Sequence, residues 1–354
     1  MTDAPDPILD ALRRALSRAP EFPDAYTASF EALPVTGLQH RLYRLRGLAR
    51  GGAGVLLRVP RDSHWRLSPR DALEYQAEAF RRLGPSLHVP KLFAVIAPRE
   101  GLPFGALAVE EIIGRPPSLP AELPALADAL AAIHALRIPA KRAPLIDQAD
   151  PFGATLALSR EQASFAEEAG LAGETRHAIA DEVAWAEGFI ASRGREGQPR
   201  ALVLTDTQPG NFVVEESGRA RAVDLEKSIY GSPAIDLAHL TLAPSTGWHP
   251  SAPRALAPAD IVAFYRRYLD RVPAAFAAAM RPWLDPTRRL TWLRIVTAFA
   301  KMTALWRRGA WTGGDLDPDF RAHVLAHIAA SHEPARVAEA RAEWLEGPGI
   351  ASQL

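Results

Sequence analysis

The chain has 354 residues with 41 basic and 41 acidic side chains, a balance that argues against a nucleic-acid binder. It contains no cysteine, which excludes disulfides, cysteine–zinc sites and thiol nucleophiles. No apolar run reaches the roughly 18 residues of a membrane span. Asp3 and Asp6 stand where a signal peptide carries positive charge. We therefore expect a cytoplasmic protein that binds neither nucleic acid nor membrane; its oligomeric state is left open.

The first third of the chain predicts a small sheet with helices. Alternating and helical apolar spacings distinguish strands from helices there. The predicted elements are a helix at Ile8–Ser17, strands at Leu42–Leu45 and Val55–Val59, a helix at Asp71–Leu83, and strands at Leu92–Ile96 and Ala106–Ile113. A glycine-rich turn at Gly51–Gly54 joins the first two strands, which indicates a hairpin.

Helical patterns dominate after the break at Gly114–Pro117. Predicted helices are Leu123–Leu136, Ala178–Ser192, Ile261–Leu269, Leu290–Trp306 and Phe320–Ala330. Short apolar runs at Leu202–Leu204, Phe212–Val214 and Ala220–Leu225 predict strands. The fold class is therefore α+β, with a small antiparallel-sheet N-terminal lobe (1–113) and a larger, mostly helical C-terminal lobe (114–354).

Three oxygen-bearing side chains between Leu202 and Leu240 carry the chemical signal. Asn211 follows Asp206 after four residues, and Asp224 ends the next predicted strand. A hairpin turning at Ser217-Gly218 would bring Asn211 and Asp224 together at its open end. Such oxygen ligands suit Mg²⁺, and this spacing is the pattern that protein kinases use for phosphoryl transfer.

The same segment resembles a family of small-molecule kinases. Residues 206–211 (DTQPGN) resemble the H-G-D-x-x-P-G-N loop of the aminoglycoside phosphotransferase and choline kinase superfamily. Four further segments match in order: Val109–Pro116 (M-E-x-x-x-G-x-x-L in the family), Ala131–Leu136 (L-x-x-L-H-x-L), Val223–Glu226 (I-D-F-E) and Tyr230–Ala238 (G-D-P-x-x-D-L-A). The resemblance covers roughly residues 35–245.

The resemblance implies a protein-kinase-like, two-lobed fold with ATP or GTP in the cleft. By position, Asp206 is then the catalytic base, Asn211 and Asp224 bind Mg²⁺, and Asp236 steadies the catalytic loop. The strand and hinge at Val109–Ile113, including Glu110, Glu111 and Ile112, would contact the nucleotide base through backbone groups. Gly37, within the segment Thr36–Gln39, stands where the family has its phosphate-covering turn.

The main departure from the family lies in the phosphate-binding pair. Arg58 replaces the family's strand lysine; it can bind phosphate oxygens, although arginine is not equivalent to lysine. The alternative is an edge-strand charge pointing to water, and Arg44 and Arg61 are weaker substitutes. In the family, a glutamate on the next helix pairs with the strand lysine. The corresponding helical position here is Gln76, flanked by Glu74 and Glu78, and we favour Glu78 as the partner of Arg58.

Two positions of the catalytic loop also differ from the family pattern. Leu204 replaces the loop histidine, and Gln208 replaces a second histidine that is frequent in the family. The resulting hypothesis is a kinase that transfers a γ-phosphoryl group from Mg-ATP or Mg-GTP to a hydroxyl of a small acceptor. The alternative is a nucleotide-binding pseudokinase with a scaffold or regulatory role. A third interpretation, in which Asp206 and Asn211 only form a turn, is disfavoured by Asp224 in register.

Several other residues have simpler interpretations than a ligand site. His323 and His327 share a helical face but are expected to be ordinary packed or solvated residues. The C-terminal tryptophans are expected in the core, with an aromatic acceptor pocket as the alternative; they are Trp248, Trp283, Trp292, Trp306 and Trp311. Asp315, Asp317 and Asp319 are expected to form a solvated loop rather than a cation site.

Overall fold

The structure, a computed structural model, describes residues 7–22, 24, 27–34, 37–250, 255–313 and 316–354. The strands are β1 (Ser29–Ala32), β2 (His40–Arg50), β3 (Ala53–Pro60), β4 (Leu92–Ile96), β5 (Ala106–Glu110), β6 (Ala201–Val203), β7 (Phe212–Val214), β8 (Ala220–Ala222) and β9 (Ile229–Gly231). The helices are α1 (Pro7–Leu16), α2 (Pro69–Leu83), α3 (Leu123–His134), α4 (Pro151–Ala163), α5 (Gly173–Arg193), α6 (Pro233–Thr241), α7 (Ala243–Thr246), α8 (Pro258–Arg271), α9 (Ala274–Arg307), α10 (Pro318–Ser331) and α11 (Pro334–Leu345).

The first five strands form one antiparallel sheet in the order β1-β2-β3-β5-β4. The predicted hairpin is confirmed: Leu45 pairs with Val55, and Gly51 and Gly52 take positive φ at the turn. Because β3 lies between β2 and β5, its apolar residues are buried, and Arg58 is only 6% exposed. The interpretation of Arg58 as an edge-strand charge in water is therefore wrong.

The second lobe is helical apart from two two-stranded ribbons, β6 with β9 and β7 with β8. Phe212 pairs with Ala222 and Val214 with Ala220, so the predicted hairpin around Ser217-Gly218 is confirmed. The fold class is thus α+β, with the sheet-rich lobe first and the helical lobe second. Among the described residues, no helix combines the length and apolar character needed to cross a membrane.

Six elements escaped the sequence patterns, and several helices are longer than predicted. The elements that were not predicted are β1, β9, α4, α6, α7 and α11. Helix α9 spans 34 residues and begins well before its predicted start at Leu290; it continues through Pro282 and Pro286, a residue type that usually disrupts a helix interior. Its buried residues, among them Trp283 and Trp292, pack it into the lobe along most of its length, and this packing outweighs the local prolines.

Candidate active site

A buried carboxylate fixes the loop that follows β6. The Asp236 side chain, on α6, accepts hydrogen bonds from the backbone N–H groups of Leu204 (2.8 Å) and Thr205 (2.7 Å). His134 Nε2 lies 3.0 Å from the same carboxylate, and His134 Nδ1 lies 2.9 Å from the Tyr268 hydroxyl. Thr205 has a φ of 64°, a left-handed conformation that these contacts support. Asp236 therefore holds the backbone immediately before Asp206.

Asp206 lies at the end of this loop with 21% of its side chain exposed. The Lys227 ammonium is 2.5 Å from Asp206 Oδ2, and His239 Nε2 is 3.7 Å from Oδ1. Burial raises the pKa of Asp206, but the charges of Lys227 and His239 outweigh it and hold that pKa well below its ordinary value. Asp206 is therefore ionised at neutral pH.

Asn211, at the end of the turn Pro209–Asn211, connects Asp206 to the residue that precedes Asp224. Its Nδ2 donates to the Asp206 carbonyl (2.8 Å), and its own carbonyl accepts from the Val223 N–H (2.9 Å). Gln208 caps the turn: its Oε1 accepts from the Gly210 N–H, and its Nε2 donates to Asn211 Oδ1 (2.8 Å). Gln208 thus organises the loop at the position of the missing second histidine.

Asp224 is paired with Arg58 across the cleft between the lobes. The Arg58 guanidinium donates from Nη2 to Asp224 Oδ1 (2.6 Å) and from Nη1 to the Val223 carbonyl (2.8 Å). The sequence analysis proposed these two residues for phosphate and metal, and the structure brings them into direct contact. This contact makes Arg58 the local counter-ion of Asp224.

A neutral chain of side chains, rather than a helix glutamate, links Arg58 to α2. His40 Nδ1 lies 3.3 Å from Arg58 Nη2 and 3.2 Å from Glu226 Oε2, and His40 Nε2 lies 3.0 Å from Gln76 Oε1. Burial, reinforced by the Arg58 charge, lowers the pKa of His40 to about 3. Burial and the nearby Asp224 carboxylate raise the pKa of Glu226 to about 8.

The predicted pairing of Arg58 with Glu78 is therefore wrong. Glu78 instead accepts from Arg82 (2.7 Å) and Arg81 (3.3 Å), and Glu74 also bonds to Arg81. Both glutamates lie on the outer side of α2, whereas Gln76 is 6% exposed and faces the site. The predicted helical position, Gln76, does face Arg58 and its neighbours, but its side chain is an amide and not a carboxylate.

The two weaker substitutes for Arg58 are engaged elsewhere. Arg44 pairs with Glu31 and Glu111. Arg61 donates from Nη2 to the carbonyls of Gly37 (2.8 Å) and Leu38 (2.6 Å). This contact places Gly37 beside the end of β3; Thr36, the preceding residue of that turn, lies outside the described residues.

The three hinge residues expected to contact the base differ in their backbone hydrogen bonds. The N–H of Glu110 donates to the Lys91 carbonyl (2.8 Å), and that of Glu111 donates to the Gly54 carbonyl (2.9 Å). Among the backbone hydrogen bonds of the described chain, none uses Ile112. Of the three predicted base-contacting residues, Ile112 is thus the one whose backbone N–H and carbonyl remain available to a ligand.

Asn211 and Asp224 fit a magnesium site in residue type and position. Mg²⁺ uses one or two protein oxygens and fills its shell with water and phosphate oxygens. His40, Asp224 and Glu226 also present ligand atoms within 4.8 Å of one another. Asp224 belongs to both sets, and its pairing with Arg58 would have to open for it to bind a metal in either. The other members of the cluster suit Mg²⁺ less well, because imidazole is not a preferred magnesium ligand and the pKa of Glu226 is raised to about 8. Asn211 and Asp224 are therefore the better pair.

The other histidines and aspartates serve structural roles. His323 Nε2 lies 3.0 Å from the Gly247 carbonyl, and His327 Nε2 lies 2.7 Å from the Pro244 carbonyl. Asp317 caps α10 through the N–H groups of Asp319 and Phe320. Asp315 falls outside the described residues.

The tryptophans divide between core and partly exposed positions. Trp283 and Trp292 are fully buried. Trp248 stacks on Phe299 with ring centroids 5.6 Å apart, and Trp306 meets Trp311 edge-on at 5.7 Å. Packing therefore accounts for the buried pair.

Sequence reasoning missed three cationic or imidazole groups around Asp206. These are Lys227, His239 and Arg294, whose Nη1 donates to the Thr205 carbonyl (2.9 Å). Lys227 follows Asp224 by three residues, so the motif's own register could have suggested it. Arg294 lies 89 residues from its partner, and no local pattern signals such a contact.

Comparisons with known proteins identify the family and support the fold. The sequence profile of a family described as "Phosphotransferase enzyme family" matches residues 32–283. No curated protein matches the chain by sequence. Among solved structures, a choline kinase from Cryptosporidium parvum Iowa II has a TM-score of 0.60 at 14% identity, covering 93% of this chain and 94% of that one. An ethanolamine kinase from Plasmodium vivax gives 0.59 at 14%, covering 89% and 85%. A spectinomycin phosphotransferase in complex with ADP and spectinomycin gives 0.57 at 15%, covering 92% and 93%.

Proposed function

Because the chain belongs to the phosphotransferase enzyme family, we propose that it transfers the γ-phosphoryl group of Mg-ATP or Mg-GTP to a hydroxyl of a small molecule. The observation that carries this proposal is the convergence of Asp206, Asn211 and Asp224 on one loop and one hairpin. A turn without chemistry would not need the buried Asp236 carboxylate beneath it.

In this proposal Asp206 orients the acceptor hydroxyl and accepts its proton as the phosphorus–oxygen bond forms. Phosphoryl transfer depends mainly on positioning and charge stabilisation, so a carboxylate with a low pKa is adequate for that role. Asp224 and Asn211 hold Mg²⁺, which when bound neutralises charge on the nucleotide phosphates. Arg58 turns from Asp224 toward the phosphate oxygens, and the Ile112 backbone meets the base.

A pseudokinase remains the second candidate, favoured by one observation. Arg58 binds Asp224 Oδ1 directly, so the metal ligand already has a cationic partner. If this pair does not open, nucleotide could bind without Mg²⁺ and without turnover. The two candidates therefore differ in acceptor-dependent release of ADP or GDP.

The test is nucleotide turnover with a panel of small hydroxyl compounds, beginning with choline, ethanolamine and spectinomycin. Asp206→Asn is compared with Asp270→Asn, an exposed carboxylate on α8. We expect at least one acceptor to stimulate nucleoside diphosphate release, with loss in Asp206→Asn and retention in Asp270→Asn. Nucleotide binding without turnover across a broad panel would favour the pseudokinase.

A further inference from the structure

One arginine beside the catalytic loop makes no direct ion pair with any residue that the structure describes. Arg294 projects from α9, and its Nη1 donates to the Thr205 carbonyl at 2.9 Å. Within the described part of the chain, no carboxylate lies within 4.0 Å of its guanidinium. Desolvation penalises a charge unless a partner compensates, and burial lowers the pKa of Arg294. Arginine nevertheless keeps its charge in proteins.

The neighbouring carboxylates are already matched. Arg58 pairs with Asp224, and Lys227 pairs with Asp206. The Asp206 and Asp236 carboxylates both act on Arg294 through space. Asp206 is in direct contact with Lys227 instead, and the Asp236 oxygens are occupied by two backbone N–H groups and His134 behind the loop. Among the described residues, Arg294 is therefore the one of these three cations without a carboxylate in direct contact.

Lys227 and Arg294 also retain unused donors. The Lys227 side chain is 22% exposed and uses one contact, with Asp206. Only one hydrogen bond of the Arg294 guanidinium is found among the described residues, although the group offers several N–H donors. Both side chains border Asp206, where the acceptor hydroxyl must lie if the proposed function holds.

We propose that Arg294 and Lys227 bind an acidic substituent, a carboxylate or a phosphate, of the acceptor molecule next to its reactive hydroxyl. This inference rests on the proposed phosphotransferase function and names the substrate class. A guanidinium fork matches carboxylate and phosphate oxygens. A quaternary ammonium or a polyamine would meet like charge at this position, which disfavours binding. The acceptor therefore differs in charge from choline and ethanolamine.

The position of Arg294 favours the acceptor over the nucleotide as the source of the anion. Arg58, from β3 of the first lobe, contacts the proposed metal ligand. Arg294, from α9 of the second lobe, contacts the residue before the proposed base. Along the chain, Asp206 follows Thr205, which Arg294 contacts, and precedes Val223 and Asp224, which Arg58 contacts. The γ-phosphoryl group is the rival anion, and the experiment separates the two.

The experiment measures binding of a charge-matched panel by thermal stabilisation and calorimetry, followed by ADP release. The panel contains sugar phosphates, sugar acids, the corresponding neutral sugars, choline and ethanolamine. We expect wild type to bind an acidic member at least tenfold more tightly than its neutral counterpart. Arg294→Gln should lose that preference, and Arg294→Lys should recover part of it. Arg281→Gln, which removes an exposed arginine from the same helix, should keep it.

Two results would overturn the inference. One is a wild-type preference for neutral or cationic members, or an acidic preference that survives in Arg294→Gln. The other is a weaker affinity of Arg294→Gln for AMP-PNP, but not for ADP, with acidic-acceptor binding unchanged, because the arginine would then serve the γ-phosphoryl group. Mg-ATP binding by wild type is measured in parallel. Its absence would contradict the proposed function, whereas its presence without acidic preference would overturn only this inference.

Discussion

The two sides of the cleft differ in how fully their cationic side chains are paired. On the side of β3, Arg58 is 6% exposed and donates two hydrogen bonds, to Asp224 and the Val223 carbonyl. On the side of α9, Lys227 and Arg294 are partly exposed, and each uses one contact. An ion pair whose hydrogen bonds are complete is stable without a ligand. Charged groups with unused N–H donors form additional hydrogen bonds when a ligand binds. We therefore propose that metal and nucleotide bind on the first side and the acceptor on the second.

The largest effect is expected at the base on the acceptor side. Asp206→Asn keeps the shape but cannot accept a proton, so kcat should fall by about 10²–10⁴. Nucleotide affinity should change little, because the phosphate-binding groups are on the other side. Steady-state kinetics and nucleotide titrations measure the two effects. An equal loss of kcat and of nucleotide affinity would show that acceptor and nucleotide functions are not divided between the two sides.

The next effect concerns Asp236, which supports the loop between both sides. Asp236→Ala leaves two buried N–H groups and His134 without their acceptor, so stability should fall by about 3 kcal/mol. Urea unfolding of the variant and of Asp270→Ala gives the measurement and its control. A loss below about 1 kcal/mol would contradict the role of Asp236 in holding the loop.

A smaller effect is expected from Arg58 on the nucleotide side. Arg58→Met should weaken Mg-nucleotide binding by about tenfold to a hundredfold, the usual range for hydrogen bonds to charged groups. Arg58→Lys should recover part of the affinity, because lysine keeps the charge without the fork. Arg46→Met, an exposed arginine of β2, is the matched control. Unchanged affinity in Arg58→Met would remove this residue from the nucleotide side.

The most gradual effect, spread over several pH units, is a change in pH dependence caused by His40. Its pKa in the folded protein is about 3, below the ordinary 6.5, so the folded state binds fewer protons than the unfolded state in this range. The contribution of His40 to stability should therefore fall as the pH drops from 6.5 toward 3, by up to about 1.4 kcal/mol per pH unit. His40→Gln should reduce this slope. Identical slopes in denaturant titrations would contradict a neutral buried His40.

Local signals in the sequence predicted one side of the site better than the other. The turn at Ser217-Gly218 and the alternation around it predicted the hairpin that carries Asp224. The partners of Arg58 and Arg294 lie 166 and 89 residues away, and such contacts are set by how the elements pack. Gln76 shows the same limit: helical phase pointed to it, but its link through His40 required the three-dimensional fold.

The central claim is tested most directly by thermal unfolding with Mg²⁺ and ATP or GTP, for wild type and Asp224→Ala. A ligand at one hundred times its Kd should add about 2.7 kcal/mol to stability. We predict a rise in Tm of a few degrees that requires Mg²⁺ and is lost in Asp224→Ala. No rise with either nucleotide at millimolar concentration would contradict nucleotide binding in this cleft.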